Sequence, residues 1–150
     1  MLETYAKCLT IYSSSEKLYI CSNQTLKEVY SSIQKGAVIE LSISSTEEEL
    51  QAALYESLKH CNVELLDEIP RLTSLEEYLG IKGWKKATKD KKCVSFLLNP
   101  EGFSISPMKK HPRYGYLGTD VKDIHLSVED AMVNNNLAKA VIQAINLSSL

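Results

Sequence analysis

The sequence predicts a single α/β domain, leaning towards the α+β type, in which helices pack on a central, largely antiparallel sheet. The chain has 150 residues, which is the usual size of one domain. Short β-prone runs are joined by tight turns, as in antiparallel hairpins. Amphipathic segments that begin with capping residues alternate with these runs. We therefore treat residues 1–150 as one domain.

The first predicted elements are a hairpin and a helix. Two β-prone runs, residues 8–12 and 17–21, flank a serine-rich turn, as in a β-hairpin. Thr25 with Glu28 fits a capping box, which predicts a helix that ends near Gly36. Apolar residues at helical spacing define one face of this helix: Leu26, Val29, Tyr30 and Ile33.

The strongest helix signal follows a predicted strand at residues 37–43. Ser45 with Glu48 fits a capping box, and acidic residues in the first turn complement the helix dipole. Apolar residues at helical spacing predict the buried stripe of this helix: Leu50, Ala53, Leu54, Leu58 and Cys61. Ser74 with Glu77 predicts a second, shorter helix.

The second half is predicted to begin with a hairpin and to close with a helix. Residues 93–106 contain two apolar strands around the turn at 99–102, where Pro and Gly suit the turn geometry. Residues 109–120 are predicted as a polar loop and residues 121–126 as a strand. Residues 135–147 predict a helix whose inward residues are Leu137, Ala140, Val141, Ala144 and Ile145.

One short segment is echoed in the second half of the chain. Residues 39–42 (IELS) resemble residues 124–127 (IHLS), and each segment precedes an amphipathic helix. Two explanations fit this echo: an internal duplication of a strand–helix unit, or a chance similarity.

Charge is distributed unevenly along the chain. The net charge of −2 speaks against a general affinity for nucleic acid or for membrane surfaces. Residues 1–75 hold 6 basic and 11 acidic side chains, a net of −5, whereas residues 76–150 hold 11 and 8, a net of +3. The stretch Lys82–Lys92 contains six lysines and Trp84. This stretch predicts either the contact surface of a small nucleic-acid-binding regulator or a solvated face without a ligand.

The sequence contains no motif typical of a catalytic, metal or cofactor site. His60, His111 and His125 lack the spacing of metal ligands. The glycines form neither a phosphate-binding loop nor a nucleophile elbow. The four cysteines include no CxxC pair and are expected to be free thiols. We therefore predict a protein that is not an enzyme and binds no metal or cofactor.

The same sequence predicts a cytoplasmic location. The N-terminal residues lack the positively charged start and apolar run of an export signal. The apolar runs are far shorter than the roughly 20 residues of a membrane span.

Residues 75–147 resemble the immunity proteins of bacterial contact-dependent growth inhibition systems. The resemblance rests on residues 78–84 (YLGIKGW), the strand at 93–98, residues 103–110 (FSISPMKK), the segment at 124–127 and the closing helix. Its sharpest element is Ile105-Ser106-Pro107-Met108.

The resemblance implies a cytoplasmic protein without catalytic activity that binds a toxin in a one-to-one complex. Such a protein neutralises the C-terminal toxin domain of a growth inhibition effector, commonly a nuclease, by covering its active site. A nuclease is basic where it grips nucleic acid, so an acidic inhibitor surface would complement it. Six acidic residues are the predicted toxin contacts: Glu47, Glu48, Asp67, Glu68, Glu76 and Glu77. In the rival arrangement, Lys82–Lys92 meets an acidic toxin.

Overall fold

A computed structural model describes residues 6–29 and 31–150. Its strands are β1 (Lys7–Ser13), β2 (Lys17–Leu26), β3 (Ser31–Ser42), β4 (Leu65–Leu66), β5 (Lys92–Asn99), β6 (Gly102–His111), β7 (Gly115–Gly118) and β8 (Ile124–Leu126). Its helices are α1 (Glu47–Lys59), α2 (Ser74–Leu79), α3 (Trp84–Ala87), α4 (Val128–Met132) and α5 (Asn136–Leu147). None of the helices in the described ranges is long and apolar enough to span a bilayer.

The strands form one mostly antiparallel sheet in the order β3-β2-β1-β5-β6-β7. Short β4 adds to β2 in parallel, and β8 pairs with β6. In the centre, β1 and β5 run antiparallel, with Ile11 opposite Val94. The α+β architecture and the antiparallel hairpin at residues 93–106 are therefore confirmed.

The sheet order is symmetric about the central β1–β5 pair. In each half a hairpin is followed by an outer strand, β3 beside β2 and β8 beside β6. The echoed segments, residues 39–42 and 124–127, lie at these equivalent outer positions. An origin by internal duplication would produce this arrangement and stays a hypothesis.

Helices α1 and α5 cover one face of the sheet, which we call the closed face. The predicted inward residues of both helices are buried there against alternate strand residues such as Leu9, Ile20 and Phe96. Side chains alternate along a strand, so one row of each strand faces this core and the other row faces the opposite side. We call that opposite side, which α2 and α3 cover in part, the open face.

Of the three predicted capping boxes, the two at α1 and α2 form with a shift of one residue each. Thr46 and Thr73, rather than Ser45 and Ser74, accept the N–H of the third helical residue. Glu49 and Glu76, rather than Glu48 and Glu77, complete the two boxes. Each helix begins with adjacent hydroxyl residues, and adjacent glutamates follow them. The sequence alone therefore allows the capping box to start at either of two neighbouring residues. The second helix ends at a left-handed Gly80, as typical C-caps do.

The predicted helix from Thr25 to Gly36 is wrong, because β2 and β3 form one long hairpin across this region. Thr25 is buried in β2, where its hydroxyl donates to Asn62 Oδ1 at 2.9 Å. Gln24 donates to the carbonyls of Lys35 and His60. These long-range bonds outweigh the local capping signal. Tyr30, which belonged to that prediction, lies outside the described residues.

The predicted polar loop at residues 109–120 is also wrong. β6 continues to His111 and pairs with β7, with Lys110 opposite Tyr116. The predicted strand at 121–126 is shorter than expected, since β8 begins at Ile124. Pro112, Gly115 and Gly118 favour turns, so the sequence predicted a loop where the structure has a hairpin.

Candidate functional site

A cavity of about 580 Å³ lies on the open face, between α3 and the β6–β7 hairpin. We call it the basic–aromatic groove and define it by six of the side chains that line it: Tyr12, Gln34, Trp84, Lys85, Arg113 and Tyr116. Its floor is the row of strand residues that points away from the closed face, including Thr10 and Ser95. Because α3 has only four residues, it leaves this part of the sheet uncovered.

Trp84 forms one wall of the groove and is held in place by two neighbours. Its ring meets the Tyr116 ring edge to face, with centroids 5.6 Å apart and an interplanar angle of 82°. Gly115 has φ +83°, and a Cβ there would lie only 2.8 Å from the Trp84 ring. The Tyr116 hydroxyl donates to the Lys91 carbonyl at 2.6 Å, which fixes the ring that Trp84 contacts. The groove therefore has a rigid aromatic wall.

Glu76 links α2 to the start of α3, which carries Trp84. Its carboxylate accepts hydrogen bonds from the Thr73 N–H, the Thr73 hydroxyl and the Gly83 N–H, the last at 2.9 Å. Burial by itself raises the pKa of Glu76, but these hydrogen bonds outweigh it and hold the pKa below its ordinary value. The side chain ties α2 to the residue that precedes Trp84. Glu76 is 6% exposed, so the predicted toxin contact is withdrawn from the surface.

Gln34 and Tyr12 form the polar end of the groove. Gln34 Nε2 donates to the Tyr12 hydroxyl at 2.7 Å. The Gln34 Oε1 atom is buried and accepts no hydrogen bond from the described residues. Burial, with the neighbouring thiols of Cys93 and Cys21, raises the pKa of Tyr12 far above its usual range, so its hydroxyl stays protonated. Because this oxygen is closed off from solvent, it is an unsatisfied internal acceptor behind the groove and is not open to a ligand.

Positive charge is concentrated at the groove. Lys85 and Arg113 line it directly, and none of the described residues that line it carries a carboxylate. Lys110 lines a second cavity of about 300 Å³, which shares Trp84, Lys85 and Gly115 with the groove, and its ammonium donates to the Thr88 carbonyl. Burial lowers the pKa of Lys110 and of Lys91, and the Lys110 charge lowers the pKa of Lys91 further. The Asp90 carboxylate opposes this by raising the pKa of both lysines, so it compensates their charges in part.

The predicted acidic contacts do not form one surface. Glu47 and Glu48 begin α1 on the closed face, close to the end of β3. Asp67 and Glu68 follow β4, which pairs with the far end of β2, so the 13 residues of α1, about 20 Å long, separate the two pairs. Glu77 lies on α2, on the open face, where it approaches Lys35 at 3.8 Å.

The lysine-rich stretch is divided in a similar way. Lys82, Lys85, Lys86 and Lys89 are exposed around α3. Lys92 points to the other side of the sheet, where its ammonium donates to the Ile145 carbonyl at 3.4 Å. Only part of the predicted basic surface therefore borders the groove.

Sequence reasoning identified Trp84 and the lysines but missed the other walls of the groove. Arg113, Tyr114 and Tyr116 lay in the segment that was predicted as a polar loop. One arginine and two tyrosines within four residues were the available signal, since Arg and Tyr are enriched among the residues that dominate binding energy at interfaces. Tyr12 and Gln34 carried no local signal, because only the strand order brings β1 and β3 to the groove.

The histidines form no metal or catalytic cluster in the part of the chain that the structure describes. His60 Nε2 lies 3.5 Å from Glu56 on the surface of α1. His125 Nδ1 lies 3.0 Å from Ser104 Oγ at an exposed position. No group of three metal-ligating side chains is found among residues 6–29 and 31–150.

Comparison with known proteins shows a shared fold. No protein-family model matches the sequence, and no curated protein matches it. A protein of unknown function from Neisseria meningitidis superposes with a TM-score of 0.74 at 14% identity, covering 97% of this chain and 96% of that chain. A chain of the CdiA-CT/CdiI toxin and immunity complex from Yersinia pseudotuberculosis superposes with a TM-score of 0.73 at 14% identity, covering 96% and 98%. The likeness therefore extends over essentially the whole domain.

Proposed function

We propose that this protein is an immunity protein that binds and neutralises the C-terminal toxin domain of a contact-dependent growth inhibition effector. The observation that supports this most is the fold likeness over 96% of the chain to a chain of a toxin and immunity complex. The resemblance of residues 75–147 to the same class of proteins points in the same direction. In this proposal the toxin is a nuclease, the complex is one-to-one and cytoplasmic, and the immunity protein covers the active site.

The groove suits a protein-binding role. Trp, Tyr and Arg are the residue types that dominate binding energy at protein interfaces. Here Trp84, Tyr116 and Arg113 surround one concave surface. The Trp84–Tyr116 wall is already fixed by internal contacts, so its ordering would cost little on association.

The direct test starts from the neighbouring genes, because the proposal expects one of them to encode the toxin domain that this protein binds. The purified domain and this protein should form a one-to-one complex in calorimetry, and coexpression should restore growth to cells that produce the toxin. The nuclease activity of the domain should fall in proportion to complex formed. A toxin domain that neither binds this protein nor is inhibited by it would refute the proposed function.

An immunity protein should have no turnover of its own. We expect the purified protein neither to cleave RNA or DNA nor to hydrolyse nucleotides or esters. A turnover that disappears in the His60→Ala or His125→Ala variant would instead indicate an enzyme.

A second candidate is a small nucleic-acid-binding regulator that uses the Lys82–Lys92 stretch. It is favoured by the exposed lysines around α3 beside Trp84. Fluorescence anisotropy with labelled single- and double-stranded oligonucleotides at physiological salt tests it. Binding that persists at this salt, together with a steep salt dependence, would support the regulator.

A further inference from the structure

We propose that the basic–aromatic groove is the toxin-docking surface and that it receives an extended, acidic segment of the toxin. This inference rests on the proposed function and adds the surface and the chemistry of the contact. It replaces the acidic surface that the sequence predicted.

Charge complementarity identifies the occupant. Lys85 and Arg113 project from opposite walls, α3 and the β6–β7 turn, and none of the described lining residues opposes them with a carboxylate. Lys110 extends the positive field around Trp84. An arginine can hold a carboxylate through two parallel hydrogen bonds, which a partner rich in Asp or Glu would supply. The predicted acidic residues, by contrast, lie at separate places on the fold.

An extended peptide suits the placement of the two cations. Alternate side chains of an extended segment point to the same side, so two of its carboxylates can reach Lys85 and Arg113 in one groove.

The same geometry favours a peptide over a nucleic acid. The Trp84 ring is wedged against Gly115 and Tyr116, where it acts as a wall.

The experiment uses one charge-reversal variant and two comparison variants of the full chain. K85E/R113E reverses the two cations that line the groove. K59E/K139E makes the same change of charge on exposed residues of α1 and α5, on the closed face. D67K/E68K tests the acidic surface. Calorimetry with the toxin domain gives the dissociation constant of each variant, and urea unfolding verifies that each one is folded.

A second readout does not require the toxin. Trp84 is the single tryptophan of the chain, so its fluorescence reports on the groove alone. Polyglutamate serves as the acidic peptide probe and an oligothymidylate of equal charge as the nucleic-acid probe. Polyglutamate should shift Trp84 emission in the wild type and in K59E/K139E, but not in K85E/R113E, and added salt should reverse the shift.

The outcomes separate this inference from the proposed function. We expect K85E/R113E to weaken toxin binding by about 100-fold or more, with K59E/K139E and D67K/E68K within about threefold of the wild type. Toxin binding that survives K85E/R113E overturns the groove while leaving the immunity function intact. If only D67K/E68K loses toxin binding, the acidic surface is the docking surface and the groove is not. If the wild type does not bind the toxin, the proposed function fails. The fluorescence assay then tests the groove by itself: a response to oligothymidylate alone, or to neither probe, overturns its specificity for acidic peptides.

Discussion

The two faces of the sheet are made by the same strands but have different chemistry. The closed face buries aliphatic and phenylalanine side chains, such as Ile11, Val94 and Phe96, beneath two helices of 12 and 13 residues. The open face presents tyrosines, cysteines and Gln34 beneath two helices of 4 and 6 residues. The short helices leave part of the open face uncovered, and the cavity of about 580 Å³ lies there, whereas the cavity beside α1 and α5 on the closed face measures about 190 Å³.

Under the proposed function, this difference would assign stability to the closed face and binding to the open face. On the closed face each apolar side chain is removed from water, which is the main favourable contribution to folding. On the open face, partly covered hydroxyl, amide and cationic groups remain available to a partner. We expect substitutions on the closed face to act on unfolding and those at the groove to act on binding.

The largest effect is expected from Leu54→Ala on the closed face. Leu54 is fully buried, so its truncation should lower the free energy of unfolding by about 2–5 kcal/mol. Leu58→Ala should act similarly, since Leu58 is 5% exposed. Met108→Ala on the open face should cost less than half as much, because Met108 already borders the cavity. Urea unfolding measures all three, and equal losses for Leu54 and Met108 would remove the distinction between the faces.

Gly115→Ala tests how tightly the wall of the groove is built. The backbone at φ +83° and the 2.8 Å approach to Trp84 both disfavour a side chain, so we expect a loss of about 1–3 kcal/mol. The Trp84 emission should shift as the ring moves. Gly80→Ala is the comparison, since φ is also positive there but no atom lies within 4 Å of the added Cβ. An unchanged emission in Gly115→Ala would mean that Trp84 is not fixed by this contact.

Alkaline pH should destabilise the protein chiefly through the open face. Burial raises the pKa of both Cys21 and Cys93 to about 12 from the ordinary 9.0. In the unfolded state the thiols lose their protons near pH 9.0, whereas in the folded state they keep them up to about pH 12. The free energy of unfolding therefore decreases as the pH rises from about 9 to about 12. Each thiol contributes about 1.4 kcal/mol per pH unit in that window. Urea unfolding from about pH 8 to about pH 10.5 should show a shallower decline for C21A/C93A than for the wild type; parallel declines would contradict this assignment.

The smallest effect is expected at the two capping boxes. Thr46→Ala and Thr73→Ala should each cost about 1 kcal/mol, because each removes the acceptor for the N–H of the third helical residue. Only Thr73→Ala should alter Trp84 emission, since Thr73 helps to hold the Glu76 carboxylate that binds the Gly83 N–H. Similar emission changes in both variants would show that α2 does not position the wall.

The candidate site was predictable only in part. Trp84 and Lys85 stand out in sequence because aromatic and basic residues lie together. Glu76 also stood out, but as one of several exposed acids, and its role in holding α2 to α3 became visible only once Gly83 lay 2.9 Å from its carboxylate. No sequence signal connects Gln34 with Trp84, because they are 50 residues apart in the chain.

The sequence by itself determined the elements that depend on local periodicity. The buried stripes of α1 and α5 follow from helical spacing, and the hairpin of β5 and β6 follows from alternation around a turn. The tertiary structure decided what depends on long-range pairing. It made residues 25–36 part of a hairpin, because buried hydrogen bonds to the segment after α1 outweigh a local capping signal. It also assembled the groove, because strand order and the shortness of α3 determine which exposed side chains meet.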